Sequence, residues 1–223
     1  MSPELRRHRW AIPAVEYERH ERRRGRRHAF ETLSPASTAV VVVDMVPFFV
    51  DSNQYARSII GPINQLTEEA RATDTLVTWV VPGRTEPTAL DIEFYGDEVA
   101  KRYANTSDDG TTRLALAPEL TVADEDEVVS KVGPSPFFPG RSALPALLAS
   151  RSIDTVVIAG TVANVCCEST ARDARNSGYR VVMAADAIAA GDDDMLNATL
   201  RTIYRSFGDV RACSEIVGLL RGS

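Results

Sequence analysis

The sequence predicts an α/β fold built on a parallel sheet, and two observations carry that reading. Apolar, β-branched runs recur along the chain, continuous rather than alternating, as in strands buried on both faces. Between them lie segments with helical spacing, and strands that alternate with helices close by right-handed crossovers into a parallel sheet. The length of 223 residues suits one such domain with a sizeable core. With 44% hydrophobic and 25% charged residues, the balance is that of a soluble globular chain rather than a disordered or fibrous one.

The first strand is read at Thr38-Ala39-Val40-Val41-Val42-Val43-Asp44, an apolar run that ends in an acid. Residues 53–72 have helical spacing, with Ile59, Ile60, Ile63 and Leu66 on one side, and Pro62 marks a kink or restart. A second strand, Thr75 to Val81, is stopped by Pro82-Gly83. Residues 86–118 lack a clear period and read as an excursion with a short helix near Asp97–Tyr103. After the acidic stretch Asp124 to Glu127, a short strand ends in Lys131, and Pro134, Pro136 and Pro139-Gly140 make a turn-rich loop. Leu144 to Leu148 reads as a short helix, with Pro145 tolerated near its start. Asp154 to Gly160 is another buried strand, and the helix after it is read over Cys166 to Ser177. Tyr179 to Ala184 forms a strand ending near Asp186. Then come a helix over Met195–Phe207, a short strand from Val210 and a helix over Ser214–Leu220.

Residues 1–35 stand apart as a basic arm ahead of a domain spanning 36–223. The formal charge is −6, yet the arm carries Arg6, Arg7, Arg9, Arg19, Arg22, Arg23, Arg24, Arg26 and Arg27. Such a run could meet nucleic acid or an acidic surface. It has no aromatic interleaving and no DNA-binding motif beside it, so it is read as a solvated arm, or one packed on a neighbouring subunit, with no nucleic-acid partner. No apolar run approaches the ~20 residues of a membrane span, and no h-region follows the basic start. No membrane partner is therefore expected, and a cytoplasmic location is the default. Three cysteines, two of them adjacent, do not make a disulfide scaffold.

Two scarcities direct the search for chemistry. All three histidines, His8, His20 and His28, lie in the arm, which argues against a Cys-His dyad, a Ser-His-Asp triad or a His-based zinc site in the body. The only lysines are Lys101 and Lys131 in an arginine-dominated chain. In open α/β sheets ligands bind outside the carboxyl ends of the strands. Asp44, Lys131 and Cys166 fall at such ends. Singly they read as a turn cap, a surface lysine and a small buried hydrophobe; their placement on one edge makes them catalytic candidates together. A cysteine opening a helix after Gly160-Thr161-Val162-Ala163-Asn164-Val165 has its thiol pKa lowered by the helix N-terminus. Free amides there can hold an oxyanion. Lys131 would stabilise the thiolate, and Asp44 would accept the thiol proton and return it to a leaving nitrogen. Cys167 faces about 100° away and is read as packing.

These residues resemble the isochorismatase-like cysteine hydrolases over roughly residues 36–215. The resemblance rests on Val41-Val42-Val43-Asp44-Met45 with Phe49, on Lys131 with Ser135-Pro136-Phe137, and on Gly160 to Ala174 including Cys166-Cys167-Glu168-Ser169-Thr170. Gly178-Tyr179-Arg180, Asp186-Ala187 and Asn197-Ala198-Thr199-Leu200 also match. It implies a Rossmann-like three-layer fold with a six-stranded parallel sheet and an Asp44, Lys131, Cys166 triad. It also implies a cis Thr161–Val162 peptide that aims the Val162 and Cys166 amides at an oxyanion, and a homodimer or homotetramer. Departures are Ala163 where many relatives have Thr, an apolar Val46-Pro47-Phe48-Phe49, and Leu196 where relatives often have His. The metal-binding Asp and His pattern of nicotinamidases is absent, so neither metal nor other cofactor is expected.

Phe49, Trp79, Phe137 and Asn164 are the expected substrate contacts, with Phe48 and Tyr95 as further candidates for the pocket wall. The expected activity is cleavage of a C–N bond in a small amide, ureido compound or lactam through a thioester. The resemblance allows a streptothricin-hydrolase-like lactam opening among these. The alternatives are an isochorismatase-type vinyl ether hydrolase, which needs the acid and lysine but not the cysteine, and a non-catalytic binding or redox protein using Cys166-Cys167.

Overall fold

The structure, a computed structural model, describes residues 5–106 and 115–222. Six strands form one sheet: β1 (Thr38–Val43), β2 (Leu76–Pro82), β3 (Glu127–Lys131), β4 (Thr155–Thr161), β5 (Arg180–Ala189) and β6 (Asp209–Arg211). Every neighbouring pair is parallel and the order is β3-β2-β1-β4-β5-β6. The chain moves outward from β1 through β2 to β3, then returns to β4 on the other side of β1. Ligands of such sheets bind at the carboxyl edge beside a reversal of this kind.

Ten helices connect and flank the strands among the described residues: α1 (Ala14–Arg24), α2 (Pro47–Val50), α3 (Gln54–Ser58), α4 (Ile60–Ala72), α5 (Ala89–Tyr95), α6 (Asp97–Ala104), α7 (Leu144–Ser150), α8 (Glu168–Asn176), α9 (Asp193–Ser206) and α10 (Cys213–Arg221). One sheet face, with Val40, Val42 and Val157, packs on Ile63 and Leu66 of α4 and Ile216 of α10. The other, with Val41, Val43 and Ile158, packs on Leu144 of α7, Ala171 of α8 and Leu200 of α9. This is a three-layer α/β/α sandwich, and both faces of β1 and β4 are fully buried, as their unbroken apolar runs require.

The elements depart from the sequence reading in three places. The helical stretch over 53–72 is two helices, with Asn53 capping α3 and Pro62 in the first turn of α4, where its missing N–H costs nothing. In the excursion, α5 precedes the expected helix and is opened by Thr88 and Asp91, which cap each other's backbone. Residues 107–114 of that excursion lie outside the described residues. β5 runs past Asp186 to Ala189, because Ile188 and Ala189 pair with Gly160 and Thr161 beyond an irregularity.

The arm is not simply solvated. Its helix α1 packs on α9 of its own chain, burying Glu16 and His20. The His8 ring stacks on Tyr55 at 3.8 Å. Its Nε2 accepts the Ala190 N–H and its Nδ1 lies 2.7 Å from Asp193 Oδ1. No helix among the described residues is long and apolar enough to cross a membrane.

Candidate active site

The register of the sheet explains how three distant residues meet. Val43, the last residue of β1, lies opposite Val80 of β2 and Gly160 of β4, and Lys131 at the end of β3 lies opposite Pro82. Asp44 follows β1 in a left-handed conformation, φ 54°. That turn, one Asp tolerates better than most residues, leaves the carboxylate at the strand end rather than in the sheet. Gly160 has φ 111°, and a Cβ there would stand 2.1 Å from the Val43 carbonyl oxygen. Only glycine lets β4 approach β1 this closely before the chain turns toward Cys166.

Lys131 Nζ lies 2.8 Å from Asp44 Oδ2, 2.9 Å from the Gly133 carbonyl and 3.7 Å from Cys166 Sγ. An ammonium has three donors, and here each faces an acceptor. A planar guanidinium could not divide itself so, which accounts for a lysine at this point of an arginine-rich chain. Relative exposure is 1% at Asp44, 4% at Lys131 and 8% at Cys166, so the group is almost dry.

Burial raises the Asp44 carboxyl above its usual range, and the adjacent Lys131 charge and the Cys166 thiol oppose that rise. Burial alone would lower Lys131, but Asp44 and the Cys166 sulfur outweigh it and raise the ammonium. The Cys166 thiol is pushed up to about 12, by burial first and the Asp44 charge second, against Lys131 and the Val162 N–H. The lowered thiol pKa expected from a helix N-terminus is therefore corrected. Burial and a carboxylate beside the sulfur outweigh the lysine and the Val162 N–H together.

The segment carrying Cys166 also differs from a plain helix start. Ala163–Cys167 form one π-helical turn in which the Cys167 N–H reaches the Val162 carbonyl, and α8 begins only at Glu168. The Thr161–Val162 peptide is cis. The Val162 amide is directed at the Cys166 sulfur. Cys167 is fully buried among apolar residues. Thr170 Oγ1 donates to the Cys166 carbonyl at 2.5 Å, and Glu168 accepts from Thr199, so the matching motifs of α8 and α9 are tied together.

The expected substrate contacts divide. Phe49 is half-buried on α2, just after Asp44, edge-on to Phe48 at 5.0 Å, and Phe48 in turn meets Tyr103. Asn164 is exposed in the π turn before Cys166. Trp79 is corrected: it is fully buried in mid-strand, and its indole N–H donates to Asp126 Oδ2 at 2.8 Å. Phe137 is corrected likewise. Its ring is buried edge-on to Tyr179, which precedes β5 at the opposite edge of the sheet. Tyr95 is exposed and joins Phe94 and Tyr103 in an aromatic row. Sequence reasoning missed the Gly133 carbonyl, whose one trace was the Gly-Pro turn two residues after Lys131. Among the described residues no three His, Cys, Asp or Glu side chains gather as a metal site.

Comparison with known proteins agrees with this fold. The family model described as an isochorismatase domain matches residues 38–215. A ureidoacrylate amidohydrolase, RutB of Agrobacterium fabrum, is 29% identical over 220 residues, covering 85% of this chain and 92% of that protein. The crystal structure of a cysteine hydrolase from Pseudomonas syringae pv. phaseolicola superposes with TM-score 0.75 at 27% identity, covering 87% of this chain and 97% of the other. N-carbamoylsarcosine amidase from Thermoplasma acidophilum superposes with TM-score 0.65 at 26% identity, covering 79% and 96%.

Proposed function

The chain belongs to the isochorismatase family, and from that premise we propose that it is an amidohydrolase that cleaves the C–N bond of a small amide, ureido compound or lactam through a Cys166 thioester. The observation that carries this is the contact of Lys131 Nζ with both Asp44 Oδ2 and Cys166 Sγ among nearly fully buried side chains. Relatives named for ureidoacrylate and N-carbamoylsarcosine support it and place ureido and carbamoyl compounds first among substrates to try.

Burial and the Asp44 charge raise the thiol pKa, so attack and deprotonation are coupled. The Cys166 proton passes to Asp44 as Sγ bonds to the substrate carbonyl carbon. The Val162 and Cys166 amides receive the developing oxyanion, and Lys131 balances the charge around the sulfur. The C–N bond then breaks and Asp44 returns its proton to the leaving nitrogen. Water attacks the thioester, or the thiocarbamate from a ureido substrate; Asp44 takes its proton and passes it to the departing sulfur. No step uses histidine or metal. The vinyl ether reading leaves unexplained why a thiol is held between the acid and the lysine.

The test is a screen of ureido compounds, amides and lactams by mass spectrometry of the intact protein. A covalent adduct on Cys166 and release of ammonia or amine are expected, both absent in Cys166→Ala and both kept in Cys167→Ala. Turnover by Cys166→Ala at the parent rate would exclude the thiolate mechanism, and loss of turnover on chelation would exclude a metal-free one.

A further inference from the structure

A cleft of about 250 Å³ opens between the arm and the amino edge of the sheet, opposite the Asp44–Lys131–Cys166 edge. His20, Arg24 and Phe30 of the arm form one wall, and Arg175, Tyr179 and Arg180 face them from the ends of α8 and β5. No Asp or Glu side chain lines it, in a chain whose formal charge is −6. Arg205 also reaches the cleft but is drawn toward Glu16 at 3.6 Å. The other three guanidiniums have no carboxylate partner among the described residues. Arg24 donates to the Arg26 and Arg27 carbonyls, Arg180 donates to the Thr32 carbonyl and lies over Phe30 at 4.5 Å, and Arg175 is exposed.

Helix dipoles do not account for this charge. The carboxyl ends of α1, α8 and α9 converge here. At about −0.5 elementary charge each, they amount to roughly half the positive charge of three arginines. The cleft keeps an excess of guanidinium, a planar donor that matches phosphate oxygens in pairs.

We propose that this cleft binds the phosphate group of a small phosphate monoester, held by Arg24, Arg175 and Arg180. The size limits the ligand: pockets for drug-sized molecules run from about 300 Å³ upward. The space therefore suits a phosphate on a short carbon skeleton rather than a dinucleotide, with Phe30 and Tyr179 against the apolar part. The site needs the arm in its docked position, which gives the arginine-rich segment a binding role without nucleic acid.

The test is calorimetric titration of the full chain at low salt with inorganic phosphate and with glycerol phosphate, against sodium chloride at matched ionic strength. Saturable binding of both phosphates is expected. Arg175→Gln and, independently, Arg24→Gln should each weaken it by about tenfold, the scale of a lost charged hydrogen bond. Arg151→Gln, on a guanidinium that does not line the cleft and is paired with Glu127, should leave binding unchanged. Unaltered melting curves for the variants show that the fold is kept. The proposal is overturned if neither phosphate saturates, if both cleft variants bind as the parent does, or if a single-stranded oligonucleotide binds where the monoesters do not.

Discussion

Replacing Asp44 by Asn separates two effects that one carboxylate exerts on Cys166. As the proposed base it removes the thiol proton, so Asp44→Asn should lower hydrolysis at least about a hundredfold. As a neighbouring negative charge it adds to the burial that pushes the thiol up to about 12, while Lys131 pulls the other way. Removing the carboxylate and keeping the ammonium must therefore lower that pKa. Iodoacetamide should alkylate Cys166 faster in Asp44→Asn than in the parent at mildly alkaline pH, although the variant is inactive. Equal or slower alkylation would mean that Asp44 does not govern the sulfur. Trp79 calls for the opposite test. Its indole N–H reaches Asp126, itself paired with Arg71. Trp79→Phe should cost about 1–3 kcal/mol in urea unfolding through the lost bond and a small void, with KM unchanged. A raised KM at unchanged stability would restore Trp79 to the substrate pocket.

At the scale of elements, strand positions were legible and the turns that aim the chemistry were only partly so. β1 was read one residue long and β4 one residue early, because a buried parallel strand announces itself as an unbroken apolar run. The short α2 and α5 lie outside the sequence reading, although Thr88 and Asp91 stand at capping-box spacing across the start of α5. The π turn Ala163–Cys167 stands where the sequence predicts a turn followed by a helix that opens at Cys166, since its residue types do not distinguish the two. Gly160 is where element geometry is most exposed to test. Its φ of 111° and the 2.1 Å from a built Cβ to the Val43 carbonyl leave no room for alanine. Gly160→Ala should destabilise by about 3 kcal/mol or more, and splay β4 from β1 enough to abolish Cys166 acylation. A variant of parent stability would show that the approach of the two strands is looser than described.

At the scale of the molecule, the arm behaves as part of the body. Burial alone would raise the Glu16 carboxyl, but the Arg201 hydrogen bond and the charges of Arg205 and Arg19 bring it below its ordinary 4.5. A carboxyl lowered in the folded state contributes stability that is complete above its unfolded value and fades as pH falls through the folded one. Docking of α1 should therefore loosen in acid. Hydrogen exchange of residues 14–24 should rise below pH 4.5, and Glu16→Gln should show the faster exchange already at neutral pH. A pH-independent difference between the two proteins would dissociate the arm from this carboxylate.

The sequence by itself determined the α/β class, the strands that lead to Asp44 and Lys131, and the position of Cys166 beyond a strand end. Periodicity and scarcity are local properties, readable without neighbours. Only the tertiary structure decided that the thiol pKa is raised rather than lowered, that Trp79 and Phe137 are core, and that the arginine-rich arm closes a basic cleft on its own chain. Those depend on which residues from distant segments remove water from one another. A pKa, a buried ring or a shared cleft is set by that exclusion, which no spacing along the chain records.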